Sequence, residues 1–547
     1  MTSAADEPRS PFAVPIYRAV WFANTTSNFG AMIQSVAASW TMASMTASPQ
    51  MIALVQASST LPIMLFALLA GAVADNLDRR RVMMAAQIFM LILSLLLSAS
   101  TWAQLLTPWT LLTFTFLIAC GTAFKAPAWQ ASVGEMVPRP VLPSAIAYNA
   151  VGFNIARSAG PAVGGLLVAT AGSAAAFLAN AFSHLGLIGV LARWRTDTPT
   201  ARLPREPLGS AMAAGIRYVA MSPSIRSVLL RAALFGFGSS AIPAMMPLVA
   251  RDILRGGPTT YGLLLAAFGC GAVGAALSSS RLRRSLSSEG IVRLAMAVVL
   301  IGLVTIATAP LLALILPALM LAGAGWVLAL STFNVSVQFA CPRWVAARAL
   351  SLYQSAVFGG TAIGSWCFGL IAEHHGPTAA LMAAAMIQIV GLITGLRHPL
   401  TRLEDVDLSP HGWNAPETAV AIEARAGPIE ILIEHRIDPA DIAAFRSAMI
   451  ERRRMRRRDG ARDWRLLRDL SDPHLWIERY MVANWTEYVR HNERRTRADA
   501  ANSEMLRTLQ IGGEPVIIRR MLEQQPATPT DGAGPRMIST PDMEGNA

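Results

Sequence analysis

Twelve apolar runs of about 20 residues constrain this chain more than any other feature. Each run is long enough to cross the hydrocarbon core of a bilayer as a helix, and turn sequences such as Ala47-Ser48-Pro49 and Gly256-Gly257-Pro258 separate several of them. The sequence therefore predicts an all-α membrane region. The predicted spans are 16–43, 51–75, 81–103, 107–128, 146–171, 173–192, 225–250, 259–280, 290–309, 311–338, 348–373 and 377–396.

The composition supports this class, because 53% of the 547 residues are hydrophobic and only 15% are charged, too few for an ordinary soluble protein. The net charge of +12 does not require nucleic acid as a partner, since arginines in cytoplasmic loops explain it. Of the loops on the opposite side, only one carries arginines, Arg251 and Arg255. We therefore expect both chain ends to be cytoplasmic. The arginine-rich loops hold Arg79, Arg80, Arg81, Arg139, Arg193, Arg195, Arg202, Arg205, Arg281, Arg283, Arg284, Arg343 and Arg348.

The longest loop, 193–224, is polar and divides the spans six and six. After a tail at 1–15, the sequence thus predicts two six-helix bundles, 16–192 and 225–396. A parallel repeat at an offset of about 204 residues indicates that the bundles are pseudo-symmetric. Ser132-Val133, Pro138-Arg139 and Tyr148-Asn149 recur as Ser336-Val337, Pro342-Arg343 and Tyr353-Gln354.

The last third of the chain has the pattern of a soluble domain. A polar connector, 397–427, precedes a segment, 428–523, whose predicted order βαββαβ is typical of a ferredoxin-like α+β domain. We expect this domain to be cytoplasmic, and we expect the Pro- and Gly-rich tail at 524–547 to be disordered. The predicted elements are a strand at 429–435, a helix at 438–457, strands at 464–469 and 475–481, helices at 486–496 and 500–510, and a strand at 516–519.

The fifth span contains features that are costly in lipid. Arg157 places a charge deep in the run, so its side chain must face a partner, the protein interior or water. Pro161 removes a backbone donor, and the glycines around it weaken the helix, so a neighbouring helix must pack closely there. The sequence predicts a bent, tightly packed helix. The residues of this motif are Gly160, Pro161, Gly164 and Gly165.

Polar residues inside the spans are candidates for contacts with a ligand in a central cavity. For each of them the alternative is hydrogen bonding between helices, and for Arg157 it is bonding to backbone carbonyls. His184 is the only histidine at depth, and it fits either a proton carrier or a neutral packed side chain. The candidate cavity residues are Asn28, Gln34, Lys125, Gln130, Asn154, Arg157, Tyr353 and Gln354.

An acid near a helix end beside a cluster of arginines marks the loop between the second and third spans. Gly71 allows close helix approach, and Asp75 with Arg79 and Arg80 predicts a charge-assisted latch. The pattern resembles the signature of the major facilitator superfamily for this loop, except that Asp78 stands where that signature has glycine. The run Gly160–Gly165 resembles the fifth-helix motif of exporters in the superfamily, although Ala156 replaces one of its glycines.

Further motifs resemble the transmembrane secretion effector branch, which includes enterobactin-exporter-like proteins. They are Ser48-Pro49, Ala126–Gln130, Phe153–Arg157 and, in the soluble part, Trp485–His491. The resemblance implies two bundles that rock around a central site. It also implies a latch that holds the cytoplasmic side shut, and export of small drug- or siderophore-like molecules driven by protons. A dimerisation or cargo-sensing module is compatible with export, and we choose this role for the soluble domain.

An enzyme is the alternative, because the soluble domain also resembles small α+β-barrel monooxygenases. In that interpretation, haem or an aromatic substrate would lie near His435, His474, Trp485 and His491. These residues lack a fixed metal-ligand spacing, and Cys120, Cys270, Cys341 and Cys367 are scattered, so we expect no metal, cofactor or disulfide. The arginines of 452–454 and 456–458 form a solvated face, a surface for anionic lipid or a surface for nucleic acid.

Overall fold

The structure is a computed structural model of the chain, and it divides into two compact units, 1–406 and 407–547. The first unit is helical, and the second contains a four-stranded sheet. The residues that the structure describes are 10–194, 208–397, 399–400, 408–409, 413, 416, 418–513 and 516–524.

The helices of the first unit begin with recognisable signals. Several start at a proline, which fits the first helical position because its missing N–H would have no partner there. Ser48 caps α2, and Thr107 forms a capping box at the start of α4. The helices are α1 (Pro15–Met45), α2 (Pro49–Asn76), α3 (Arg79–Trp102), α4 (Pro108–Met136), α5 (Leu142–Arg193), α6 (Leu208–Ala220), α7 (Pro223–Ser239), α8 (Ala241–Leu248), α9 (Pro258–Ser285), α10 (Ser288–Thr308), α11 (Leu312–Phe339) and α12 (Arg343–Arg397).

Within the described ranges, nine helical stretches are long and apolar enough to cross a membrane. One of them joins α7, α8 and a π-helical turn into a continuous stretch, Pro223–Ile253. Helix α1 has 31 residues but is not among the nine, because polar side chains such as Asn24, Asn28 and Gln34 lower its hydropathy. The structure thus confirms a mainly helical protein with many membrane-spanning helices.

The two longest helices each contain a break at a glycine. Gly172 in α5 and Gly376 in α12 both have φ of 82°, a left-handed conformation that glycine adopts without steric cost. The residue numbers 172 and 376 differ by 204, the same offset that relates the sequence repeats. Each half of the unit therefore has a sharp bend at an equivalent position.

The loop predicted at 193–224 is more ordered than a polar linker. Residues 195–207 lie outside the described residues, but α6 follows them and packs against α12. At Gly215 of α6 an added Cβ would stand 2.7 Å from the Cβ of Arg348, so the two helices are in close contact. Helix α6 is amphipathic, and it occupies part of the segment predicted as a polar linker.

The second unit follows the predicted order, and its two consecutive helices are separate elements. The strands pair in the order β2-β3-β1-β4, and every neighbouring pair is antiparallel. Alternate residues of β1 and β3 are buried, which places their apolar side chains on one face. The predicted tail lies almost wholly outside the described residues. The elements are β1 (Ile429–Arg436), α13 (Ile442–Arg458), β2 (Arg462–Arg468), β3 (Leu475–Val482), α14 (Trp485–Glu493), α15 (Arg497–Thr508) and β4 (Ile517–Leu522).

Candidate functional site

A cavity of about 350 Å³ lies between α2 and α4 of the first half and α12 of the second. Its wall is mostly apolar, with side chains such as Ile63 and Leu350, and Gln130 and Gln354 add amides from opposite halves. Gly71 also lines the cavity, where an added Cβ would stand 3.0 Å from Ser351 Oγ. A few polar groups on an apolar wall between two moving parts are typical of a ligand site.

Lys125 on α4 directly precedes Ala126, which lines this cavity, but Lys125 itself is not part of the wall. The lysine is 7% exposed, and its Nζ donates to Asn28 Oδ1 at 3.3 Å. Among the described residues, no carboxylate forms an ion pair with Lys125. A buried ammonium whose partner is a neutral amide is rare inside a membrane, so this pair is a strong functional candidate.

Gln34 does not belong to this group. Its Oε1 accepts hydrogen bonds from Ser94 Oγ at 3.3 Å and from the amide of Asn180. These partners lie on α3 and α5, so Gln34 ties helices within the first half. This is the interhelical bonding that the sequence left as the alternative.

A second buried network surrounds His184. Its Nδ1 lies 2.6 Å from Gln87 Oε1 and 3.3 Å from Ser27 Oγ, while Nε2 has no hydrogen-bond partner in the described part of the chain. The ring is 2% exposed. The polar residues of α1 thus divide between a packed network and the Asn28–Lys125 pair. The sequence alone did not distinguish these two fates.

Arg157 and Asn154 lie elsewhere, on the face of α5 that packs against α9. The Arg157 guanidinium carbon stands 5.4 Å from the centroid of the Phe268 ring. No hydrogen bond or ion pair joins the guanidinium to another described residue. Asn154 Nδ2 donates to the Ala150 carbonyl at 2.8 Å within its own helix. Neither residue lines the cavity.

Tyr353 is also displaced from the cavity, although its neighbour Gln354 lines it. The Tyr353 hydroxyl donates to the Leu330 carbonyl at 2.8 Å, and the side chain is buried. The structure therefore gives Tyr353 a role in joining α11 to α12.

The latch residues connect the start of α3 to the ends of two other helices in the same half. Arg79 Nη1 donates to the Ala131 carbonyl at 2.9 Å and to Glu135 Oε1 at 2.8 Å. Arg80 Nε donates to the Leu191 carbonyl at 2.7 Å, at the end of α5. The side chain of Asp75 lies outside the described residues, so its part in the latch stays a prediction.

Asp78, the departure from the family signature, has a local role in this loop. Its carboxylate caps α3 by accepting from the N–H groups of Arg80 and Arg81. An acidic N-cap also favours the positive end of the helix dipole. The turn is therefore stabilised by a side chain where the signature has glycine.

The glycine motif of α5 packs this helix against two neighbours. An added Cβ at Gly160 would meet Met32 of α1 at 2.6 Å, and one at Gly165 would meet the Pro258 carbonyl at 2.5 Å. An added Cβ at Gly262 of α9 would stand 2.6 Å from the Pro161 carbonyl oxygen. One at Gly164 would stand 3.0 Å from the Cα of Ile33. The motif thus joins the first half to the second through backbone contact.

Two contacts clasp the halves on the side opposite the arginine-rich loops. The guanidinium of Arg251 donates to the carbonyls of Ala43 and Thr46, the latter at 3.1 Å. Ser48 Oγ donates to Glu373 Oε2 at 2.7 Å. We call these contacts the outer clasp. The sequence does not reveal the outer clasp, although Arg251 stands out as an arginine in a loop on the side that has few of them.

In the second unit, the four residues of the enzyme alternative do not form one site. His491 Nε2 accepts from Arg456 Nη1 at 3.1 Å, and His435 Nδ1 accepts from Gln510 at 2.9 Å. Trp485 stacks on Tyr488 with ring centroids 5.1 Å apart. The described residues contain no group of three or more histidine, cysteine, aspartate or glutamate side chains placed to hold a metal ion.

The arginine run of α13 is not a single solvated face. Arg452 and Arg456 point inward and are 7% and 5% exposed. Both donate to Glu478, at 3.3 and 3.1 Å, and the carboxylate is fully buried. Two arginines of the run, one helical turn apart, therefore belong to the core of the unit.

Solved structures of transporters have the same fold as the first unit. The chain matches a bacterial homologue of the human lysosomal transporter Spinster with a TM-score of 0.57, at 14% identity, over 71% of this chain and 97% of that one. It also matches the nucleoside transporter NupG with a TM-score of 0.59, at 11% identity, over 70% and 99% of the two chains. The first unit therefore has the fold of these solved structures.

Sequence comparison gives the family. The model of the transmembrane secretion effector family matches residues 6–528, and the chain belongs to this family. It is 25% identical to the multidrug efflux pump Tap of Mycolicibacterium fortuitum over 71% of this chain and 97% of that protein. It is 26% identical to the enterobactin exporter EntS of Escherichia coli over 69% and 91%. The chain is thus a transport protein of the membrane and not an enzyme, as its sequence predicted.

Proposed function

We propose that this protein exports small drug- or siderophore-like molecules across the cytoplasmic membrane by alternating access. The observation that carries the proposal is the cavity whose wall comes from α2, α4 and α12, that is, from both halves. A site shared by two halves changes its access when the halves rock. Family membership and relatives that pump drugs and enterobactin support the direction of transport.

The first unit then crosses the membrane twelve times. A helix of 52 residues is about 78 Å long, more than twice the hydrocarbon thickness, so α5 and α12 each provide two crossings joined at Gly172 and Gly376. Helix α1 and the seven other candidate spans complete the count of twelve, with two pseudo-symmetric bundles and both chain ends in the cytoplasm. Reporter fusions in the loops at 103–107 and 137–141 test the alternation of sides.

The described conformation is open towards the cytoplasm in this proposal. The outer clasp holds the halves together on one side, while the cavity extends along α2 to Gly71 and Ala74, next to the arginine-rich loop. By the positive-inside rule that loop is cytoplasmic. The latch of Gly71, Asp75, Arg79 and Arg80 would close this side in the outward-open state.

Proton coupling completes the proposal, and we assign it to Lys125, the buried lysine that precedes the cavity residue Ala126 on α4. Among the described residues, its buried ammonium is bonded only to an amide. Because no carboxylate is paired with it there, loss of its proton leaves no unpaired negative charge behind. Gln130 and Gln354 would contact cargo from opposite halves. Arg157, beside Phe268, would contact cargo only in a state where α5 and α9 separate.

Uptake into inverted vesicles tests this assignment. We expect Lys125→Met to abolish proton-driven uptake, and Gln130→Ala or Gln354→Ala to raise KM about tenfold, because each removes a cavity hydrogen bond. Gln338→Ala is the matched control, since Gln338 bonds only to Asn334 of its own helix. The uptake substrates are candidate drugs and siderophores. The proposed site would be contradicted if Lys125→Met, Gln130→Ala and Gln354→Ala all transported them at the parental rate and KM.

The second unit is, in our proposal, a ferredoxin-like domain that forms homodimers. Its element order and the sheet order β2-β3-β1-β4 fit that fold. The edge strand β4 exposes Ile517, Ile518 and Met521 by 55%, 41% and 45%, and an exposed apolar edge strand is a site for pairing with another chain. Native mass spectrometry of the full-length protein and of Ile518→Arg distinguishes a dimer from a monomer.

A further inference from the structure

A second cavity, of about 580 Å³, lies within the soluble unit. Residues of α13, α15 and the segments before α15 and β4 line it, together with His435 at the end of β1. Its volume is in the range of cavities that hold drug-sized molecules. No part of the transport mechanism proposed above uses this cavity.

Cationic groups converge at one point of its wall. Arg452 Nη1 lies 2.8 Å and Arg495 Nη2 lies 2.7 Å from the hydroxyl oxygen of Ser503. Both guanidiniums donate, so the hydroxyl accepts two hydrogen bonds and its own proton is left to donate. Among the described residues, no acceptor takes that proton. Two guanidiniums and a free hydroxyl donor therefore face the same region.

The carboxylates near this point are already engaged. Glu478 is shared between Arg452 and Arg456, and Asp499 accepts from Arg458 at 2.9 Å. Glu504, the acidic residue of the cavity wall, pairs with Arg507 at its exposed rim. Arg495 forms no ion pair with a described carboxylate. Burial and repulsion by Arg456 and Arg452 lower the pKa of Arg495 to about 10, as expected for a cation that lacks a counter-ion.

His435 adds a third kind of donor. The Gln510 side chain accepts from the Arg436 N–H through its oxygen, so its nitrogen donates to His435 Nδ1. The proton of the neutral ring must then be on Nε2. This nitrogen lies 3.8 Å from Glu478 Oε2 and has no hydrogen bond within the described part of the chain. The ring is 2% exposed and lines the cavity.

Beside Arg497, Glu504 and Arg507, the wall has an apolar part. Leu506, Val516 and the alanines 500 and 501 stand around the donors. A free inorganic anion would leave this surface uncovered, whereas an organic acid with an apolar body would cover it. We propose that the cavity binds a small organic carboxylate, whose carboxyl group lies between Arg452, Arg495 and Ser503 and whose apolar body lies against Leu506 and Val516. This inference is independent of the transport function.

Calorimetric titration of the full-length protein in detergent tests it, with naphthalene-2-carboxylate as the probe. We expect the carboxylate to bind and naphthalene-2-carboxamide, which has the same shape without the charge, to bind at least tenfold more weakly. Arg495→Gln should weaken carboxylate binding at least tenfold, because it removes a charge-assisted bond. Ser503→Ala, a change with little risk to folding, should weaken binding about fivefold.

The matched control is Arg446→Gln, which removes an exposed arginine from α13 outside the cavity and should leave the Kd unchanged. It also corrects for uptake of the probe by detergent. Equal binding of acid and amide, or an unchanged Kd in Arg495→Gln and Ser503→Ala, would overturn the proposal.

Two further titrations distinguish other sources of an anion. Inorganic phosphate and nanodiscs of anionic lipid should each compete weakly, more than tenfold less effectively than the carboxylate. Strong competition by phosphate would assign the site to an inorganic anion, and strong competition by the lipid would assign it to a headgroup. Either result would refute an organic carboxylate as the occupant.

Discussion

At the scale of single residues, Glu478 is a fully buried carboxylate of the soluble unit that pairs with two arginines. Burial alone would raise the pKa of its carboxyl group, but Arg452 and Arg456 overcome this and hold the pKa well below its usual range. The pKa of the His491 ring is also lowered, because burial and Arg456 hold it well below 6.5. The charged carboxylate and the neutral imidazole are therefore both required by the folded unit.

These shifts predict that acid destabilises the soluble unit. The unfolded chain protonates His491 below about pH 6.5 and Glu478 below about pH 4.5, while the folded unit resists both, so stability falls as the pH falls. We expect the opening free energy of β3, measured by hydrogen exchange and corrected for intrinsic rates, to decrease from pH 7 to pH 5. In His491→Asn this decrease should largely disappear. A stability that rises on acidification would contradict the assignment.

At the scale of helices, backbone contact between α5 and α9 joins the two halves. Gly165 and Gly262 face each other, with an added Cβ on either one 3.0 Å from the other's Cα. Such an approach leaves no room for a side chain. The exporter motif of the family thus has a clear packing role here, whatever its effect on the direction of transport.

Replacing one glycine tests this contact. Gly262→Ala would bring a methyl group within 2.6 Å of the Pro161 carbonyl, and we expect a loss of about 1–3 kcal/mol of stability with reduced transport. Gly274→Ala on the same helix is the control, because an added Cβ there meets nothing within 4 Å. It should leave the melting temperature unchanged or raise it slightly. Equal melting temperatures for the two variants would show that the contact is loose.

The sequence predicts the helices better than it predicts the hydrogen-bond partners of their side chains. Apolar runs and caps such as Asp438 gave most elements within a few residues, because these signals are local. The sequence does not indicate the amphipathic helix α6, because this helix is too short to be a membrane span and follows a polar segment. Hydrogen-bond partners were not predictable at all: Gln34 and Asn180 are 146 positions apart, and only packing brings them together.

At the scale of the molecule, the outer clasp and the cavity lie towards opposite sides of the helical unit. The clasp depends on few groups, chiefly Arg251 with the Ala43 and Thr46 carbonyls and Glu373 with Ser48. Contacts of this strength suit a conformational equilibrium, because a difference of a few kcal/mol is enough to exchange two states. The sequence could indicate the fold of such a carrier but not which state it adopts.

Weakening the clasp should shift that equilibrium. In Arg251→Gln we expect spin labels at positions 105 and 311, in exposed outer loops, to move apart in a larger fraction of molecules, by roughly tenfold in the ratio of states. Arg255→Gln, which removes an exposed arginine from the same segment, is the control. Identical distance distributions in the two variants would exclude a role for Arg251 in holding the closed side.

The bends at Gly172 and Gly376 have a mechanical consequence. Because each pair of helical arms is joined by one left-handed residue and no intervening loop, the arms of a pair have little freedom to tilt separately. We therefore expect bound cargo that displaces one arm to displace the other arm as well. Each half would then have its own pair of coupled helical arms. Insertion of a flexible peptide at either bend should uncouple the two arms. The resulting protein should still bind cargo but should transport it slowly.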